Sequence, residues 1–225
     1  MKTFIHIGQQ KTATTSIQHF LKNNRRKLIK QGLYVPDSLA GIDNPSHYIL
    51  NNYALDAHRY SSTKERILKK NLSLFMDLPE ILKRDIEAHY KKASVKNCRD
   101  VIWSNEGLYL LDSVDEYKRL YDLFSIYSKE IVCICCLRDV DSYRDSYTRH
   151  LKKIGRQLSR DKGSYRYVEK DSWLFDYDRK KTLLQKVFGK SVIYLDYNEE
   201  DMVSEFMNGI GYSTIDGRSI RLNIT

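Results

Sequence analysis

Long apolar runs are absent from this chain of 225 residues. Nothing in it approaches the roughly 18–20 apolar residues that a membrane-crossing helix needs. The opening stretch MKTFIHIGQQ has one lysine and then a short apolar run before Gly8. That run is too short for the hydrophobic region of a secretory signal and reads as a buried first strand. The expectation is a cytoplasmic protein without a transmembrane segment, with peripheral membrane contact left open. Cysteine is sparse and badly spaced for a disulfide framework: Cys133, Cys135 and Cys136 crowd the run VCICCL, and Cys98 stands apart. No histidine cluster accompanies them and they lie inside one apolar run, so the thiols read as small apolar strand residues rather than zinc ligands, and no metal is expected. Proline is rare, and no repeat, low-complexity tract or linker divides the chain. It reads as one domain over residues 1–225, with a helical insertion at about 47–93. The signature GxxxxGK[ST] is missing as well, which argues against an ordinary P-loop kinase or ATPase.

Positive charge is plentiful. Lys and Arg number 38 against 29 Asp and Glu, a net charge of +9. Such a surplus favours acidic partners: phosphates, sulfates, anionic glycans, nucleic acid or an anionic membrane face. Apolar residues at 41% and charged residues at 30% place the chain among soluble globular proteins and exclude disorder.

The pattern alternates strand and helix. TFIHI (3–7) reads as a strand, followed by GQQKTATT and a helix over about 14–31. LYV (33–35) reads as a second strand and 37–46 as a loop. Residues 47–93 read as two or three helical pieces. VIWS (101–104) is a strand, 113–128 a helix, and IVCICCL (131–137) a central strand covered on both faces. A helix follows over 141–154, then a polar, basic stretch (155–171) that reads as a mobile loop. A helix over 172–188, a strand over 191–195 and a helix over 199–210 complete the pattern. Alternation of this kind predicts a three-layer α/β fold, a mainly parallel sheet flanked by helices. Ligands in such folds bind beyond the carboxyl ends of the strands.

Two groups at strand ends carry anion chemistry. The first is Gly8–Gln9–Gln10–Lys11–Thr12–Ala13–Thr14–Thr15–Ser16, between the first strand and its helix. Gly8 permits a tight turn, the helix N-terminus presents backbone N–H groups, Lys11 adds a point charge, and Thr12, Thr14 and Thr15 add hydroxyls. The alternative is that Thr14 or Thr15 merely caps the helix. The second group is Arg138, ending the central strand, with Ser146 eight residues later, a little over two helical turns. A guanidinium and a hydroxyl meeting there suit a second phosphate. The alternative pairs Arg138 with Asp139 or Asp141.

Together the two groups resemble those of the sulfotransferases that use 3′-phosphoadenosine 5′-phosphosulfate (PAPS), most closely the bacterial carbohydrate and glycosaminoglycan type. Ser104–Asn105–Glu106 resembles the Ser–x–Glu segment of bacterial members, and residues 177–211 more loosely resemble their C-terminal half. The resemblance implies a P-loop NTPase-like sulfotransferase fold with PAPS as sulfate donor and no metal. It places Gly8, Lys11, Thr12, Ala13, Thr14 and Thr15 on the 5′-phosphosulfate and Arg138 and Ser146 on the 3′-phosphate. Ala13 stands where glycine is usual and Thr148 where tyrosine is frequent. The Arg–Lys–Gly element of the cytosolic small-molecule enzymes is missing, and Arg218 beside Gly217 is no convincing substitute.

By this reading Lys11 neutralises charge on the leaving group. Glu106 is the first candidate for the general base and His47 the second. Each has a structural alternative: Glu106 as a helix-start carboxylate, His47 as a packed ring. His6, inside the first strand, reads as a core histidine. Trp103 and Tyr109 are candidates for lining an acceptor cleft or for the core. The basic stretch 155–170, with Arg156, Arg160, Lys162, Arg166, Tyr165 and Tyr167, either grips an acidic ligand or is a solvated charge run. The expected partners are the nucleotide donor and a hydroxyl-bearing acceptor, a glycan or glycolipid, with an anionic one favoured weakly by the net charge. A nucleotide or sugar phosphotransferase and a basic nucleic-acid-binding protein are the rival functions; no nucleic-acid motif supports the latter.

Overall fold

Side-chain alternation along the strands decides the layering. The computed structural model describes residues 1–70 and 76–213. In β1 (Lys2–Gly8), Phe4 packs into one cluster of buried apolar residues while Ile5 and Ile7 pack into another, as the two-residue period of a strand requires. After β1 come α1 (Thr14–Asn23), α2 (Arg25–Lys30), β2 (Leu33–Tyr34), α3 (Ile49–Ala54), α4 (Ser62–Lys70) and α5 (Leu78–Val95). β3 (Asp100–Ser104), a 3-10 turn (Glu106–Leu110), α6 (Val114–Ser125), β4 (Glu130–Leu137) and α7 (Val140–Lys153) follow. A second 3-10 turn (Trp173–Phe175), α8 (Tyr177–Phe188), β5 (Val192–Asp196) and α9 (Met202–Gly209) complete the described chain.

The five strands are parallel and lie in the order β2-β3-β1-β4-β5. Phe4, Ile102, Val132 and Ile134 meet α1, α2 and α9, through residues such as Ile17, Leu28 and Phe206. Ile5, Trp103, Cys133 and Cys135 face the opposite side, where α3 and α5 to α8 pack. This is the three-layer arrangement that the alternating pattern predicts. Because β1 lies between β3 and β4, the chain changes direction across the sheet beside β1. The crevice that such a switch leaves at the strands' carboxyl ends is the usual ligand position in open α/β sheets.

Three expectations need correction. The helix predicted over 14–31 is two helices. Asn24 adopts φ −104°, ψ 11°, and its amide side chain donates to the Phe20 carbonyl at 3.0 Å, competing with the continuing backbone ladder. The stretch 155–171 is tied down rather than loose. Tyr165 is buried, donates its hydroxyl to Glu65 (3.2 Å) and accepts at its carbonyl from the Tyr147 hydroxyl (3.1 Å). Arg156 pairs with Glu65 at 2.8 Å. Trp103 and Tyr109 are both fully buried, so neither lines a cleft. Gly217 and Arg218 lie outside the described residues. Among the described residues no helix is long and apolar enough to cross a membrane.

Candidate active site

The loop after β1 is shaped by close approach. Gly8 has φ +93°, and a Cβ there would stand 2.9 Å from the Glu106 Cα. Only glycine combines that backbone with that proximity. Lys11 and Ala13 also take left-handed conformations, φ 65° and 57°, and the Thr12 hydroxyl donates to the Gln9 carbonyl at 2.6 Å. Thr12 is fully buried, and its hydroxyl folds the loop through that bond. Ala13 occupies the N-cap of α1 and no side chain caps that helix. This removes the reading in which Thr14 or Thr15 serves as a cap. The first backbone bond into the helix runs from Ile17 N–H to the Ala13 carbonyl (3.0 Å), and the N–H groups before it are those a helix leaves without intrahelical partners. Thr14 is buried at this end and Thr15 exposed.

The Arg138 segment lies against this loop. Its guanidinium donates to the Lys11 carbonyl at 3.3 Å and covers the Tyr197 ring, 4.9 Å from the centroid. The acidic neighbours have other duties. Asp139 caps α7 by accepting from Ser142 N–H at 2.9 Å, and Asp141 pairs with Arg144 at 2.9 Å. Two residues absent from the sequence-level candidates lock the loops together. Gln9, fully buried, accepts from Arg138 N–H at 3.0 Å and donates to the Tyr177 hydroxyl at 2.8 Å. That hydroxyl in turn donates to the Arg138 carbonyl at 2.6 Å. Gln10 accepts from the Tyr143 hydroxyl of α7 at 3.1 Å. Ser146 lies further along α7, buried at 8% exposure, and its hydroxyl has no hydrogen-bond partner among the described residues.

Positive charge accumulates here. Partial burial lowers the Lys11 pKa from its ordinary value, and Lys153, Arg138 and Arg149 lower it further. Like charges gathered around an uncapped helix N-terminus favour an anion, because a bound anion relieves their mutual repulsion.

Glu106 opens the 3-10 turn after β3. Asn105 caps that turn by accepting from Gly107 N–H (2.7 Å), so the Glu106 carboxylate is not the cap. It accepts instead from the Gln18 amide at 2.5 Å and from the Ser46 hydroxyl at 3.4 Å. Lys180, fully buried, braces the end of the turn by donating to the Tyr109 and Leu111 carbonyls at 3.0 and 2.5 Å. A cleft of about 90 Å³ opens beside Glu106, with Gln10, Asn51, Ser62, Thr63 and His150 among its walls.

The structure places His47 elsewhere. It is 3% exposed, packs edge-on against Trp103 (4.9 Å between centroids) and accepts Ser104 N–H at Nδ1, 3.1 Å. Burial lowers its pKa to about 4. Its ring holds the end of β3 in place, its Nε2 is buried without a hydrogen-bond partner among the described residues, and it is not among the residues that wall the cleft beside Glu106. His6 is a core ring, as its position within the strand predicts: it is fully buried, with Nδ1 2.8 Å from the Ser104 hydroxyl.

The fold has a known counterpart. A sulfotransferase from Alicyclobacillus acidocaldarius, known from a crystal structure, superposes with a TM-score of 0.57 at 16% sequence identity; the match covers 100% of this chain and 87% of that one. The sulfotransferase domain from the curacin biosynthetic pathway gives a TM-score of 0.46 at 10% identity, over 95% of this chain and 75% of that one. No family model and no curated protein matches the sequence. The chain has the sulfotransferase fold: a five-stranded parallel sheet flanked by helices.

Proposed function

We propose that this protein is a PAPS-dependent sulfotransferase acting on a hydroxyl of a carbohydrate or glycolipid. The observation that carries the reading is the contact between the two anion motifs. Arg138 rests on the Lys11 carbonyl at the carboxyl ends of the central strands, where the helix N-terminus is uncapped. One doubly phosphorylated nucleotide spans such a pair of sites. Bound PAPS supplies an activated sulfuryl group. Lys11 and the α1 N–H groups hold its 5′ end, and Arg138 with Ser146 holds the 3′-phosphate. Thr14 and Thr15 flank the 5′ end.

In the reaction the acceptor oxygen forms a bond to sulfur while the bond from sulfur to the phosphate oxygen breaks. Lys11 neutralises the charge that builds on that leaving oxygen. Glu106 takes the proton of the acceptor hydroxyl, and its bonds from Gln18 and Ser46 fix where the carboxylate points. Adenosine 3′,5′-bisphosphate leaves. Preorganised donors aimed at developing charge supply most of the rate in transfers of this kind. Removing one typically costs about 10²–10³ in turnover.

The test is transfer of radiolabelled sulfate from PAPS to a panel of cell-envelope glycans. Lys11→Ala is expected to lower turnover by about 10²–10³ with an unchanged unfolding curve. Near-normal transfer by that variant counts against the assignment.

A further inference from the structure

We propose that His150 is an acceptor-binding residue, a neutral imidazole that hydrogen-bonds the sugar beside Glu106. The inference rests on the sulfotransferase reading above and extends it to the acceptor side.

Three observations carry it. First, position: His150 lies one helical turn beyond Ser146 on α7 and lines the same cleft as Gln10 and Glu106. It therefore shares one cleft with the β1 loop and the candidate base. Second, its ring is free. The His150 imidazole has no hydrogen-bond partner among the described residues; the same holds for His19 and His58, but of these three only His150 lines the cleft. A half-buried polar ring that faces a cleft without a partner is available to a ligand. Third, its surroundings oppose protonation. Lys11 faces it from the β1 loop and Lys153 from its own helix; burial and these two cations lower its pKa below the ordinary value. The other titratable groups around the cleft are Glu106, bonded to Gln18 and Ser46, and the phenols of Tyr48, Tyr147 and Tyr165.

A neutral imidazole carries one N–H donor and one acceptor nitrogen. Adjacent hydroxyls of a sugar ring offer the complementary pair. The remaining polar walls, Asn51, Ser62 and Thr63, extend the same kind of recognition. Among the lining residues Glu106 is the one carboxylate and no Lys or Arg appears. The lining therefore suits the hydroxyls of a sugar ring.

The test uses the full chain saturated with adenosine 3′,5′-bisphosphate, titrated with methyl β-glucoside, methyl β-galactoside and methyl β-glucuronide. Binding is followed by calorimetry and by the imidazole NMR signals. We expect at least one of the glycosides to bind and to shift the His150 signals. His150→Phe is expected to weaken glycoside binding at least tenfold and His150→Gln to restore most of it, with nucleotide affinity within twofold of the parent in both. Failure of all three glycosides to bind, unmoved His150 signals, or equal affinity in His150→Phe overturns the proposal. Failure of the nucleotide itself to bind the parent protein overturns the sulfotransferase reading instead, so the two failures are distinguishable.

Discussion

Gly8 is the residue on which the geometry of the site turns. Its positive φ lets β1 bend into the anion loop, and its missing side chain lets the Glu106 backbone approach. Gly8→Ala asks for both a strained backbone and a displaced turn. Backbone strain of this kind costs on the order of 1–3 kcal/mol. We expect the unfolding free energy from urea titration to fall by that amount, and turnover to fall as well because the Glu106 turn must move. A variant with parental stability refutes the close approach. Lys11, Glu106 and Arg138 were legible from sequence because each follows a strand with little intervening chain. Gln9 was not. An amide beside a glycine carries no chemical signature, and its role comes entirely from Arg138 and Tyr177, both more than a hundred residues away.

At the scale of elements, the Tyr177 hydroxyl joins the start of α8 to both loops of the candidate site. It accepts from Gln9 and donates to the Arg138 carbonyl. Tyr177→Phe keeps the ring and removes both bonds, leaving polar partners poorly satisfied, a loss of about 1–3 kcal/mol. The expected outcome is a lower urea midpoint together with several-fold weaker binding of adenosine 3′,5′-bisphosphate by calorimetry. Weaker binding is the informative part, since a merely structural tyrosine lowers stability and leaves nucleotide affinity alone. Most elements were readable beforehand because strands two residues in period alternate with helices near four, and glycines such as Gly189 mark helix ends. The failures have local causes. Asn24 breaks a helix by bonding its own backbone neighbour, which hydrophobic periodicity does not register. The stretch 155–171 looks loose in composition, yet Tyr165 is a buried anchor; the bond that fixes it comes from Glu65 on a distant helix.

At the scale of the whole molecule, buried histidines set the response to acid. Burial lowers His6 to about 3 and His47 to about 4, against 6.5 for an unhindered histidine. His89, whose Nε2 lies 2.8 Å from the Ser38 carbonyl, is lowered too. In each case the unfolded chain binds a proton that the folded chain refuses. Stability is therefore intact above pH 6.5 and falls as acid is added, continuing until the folded-state values near 4 and 3 are passed. By pH 4, His6 and His47 each remove about 3 kcal/mol, a large share of the 5–15 kcal/mol typical of a domain. Both rings sit against β3, one on the Ser104 hydroxyl and the other on its N–H, so protonation strikes the strand that presents Glu106. Urea midpoints measured from pH 7 to pH 4 should fall steadily below about 6.5. His6→Gln, which cannot titrate, should show a shallower fall over the same range whatever its stability at neutral pH. Parallel curves for parent and variant would mean that the His6 ring takes up its proton in the folded state as readily as in the unfolded chain.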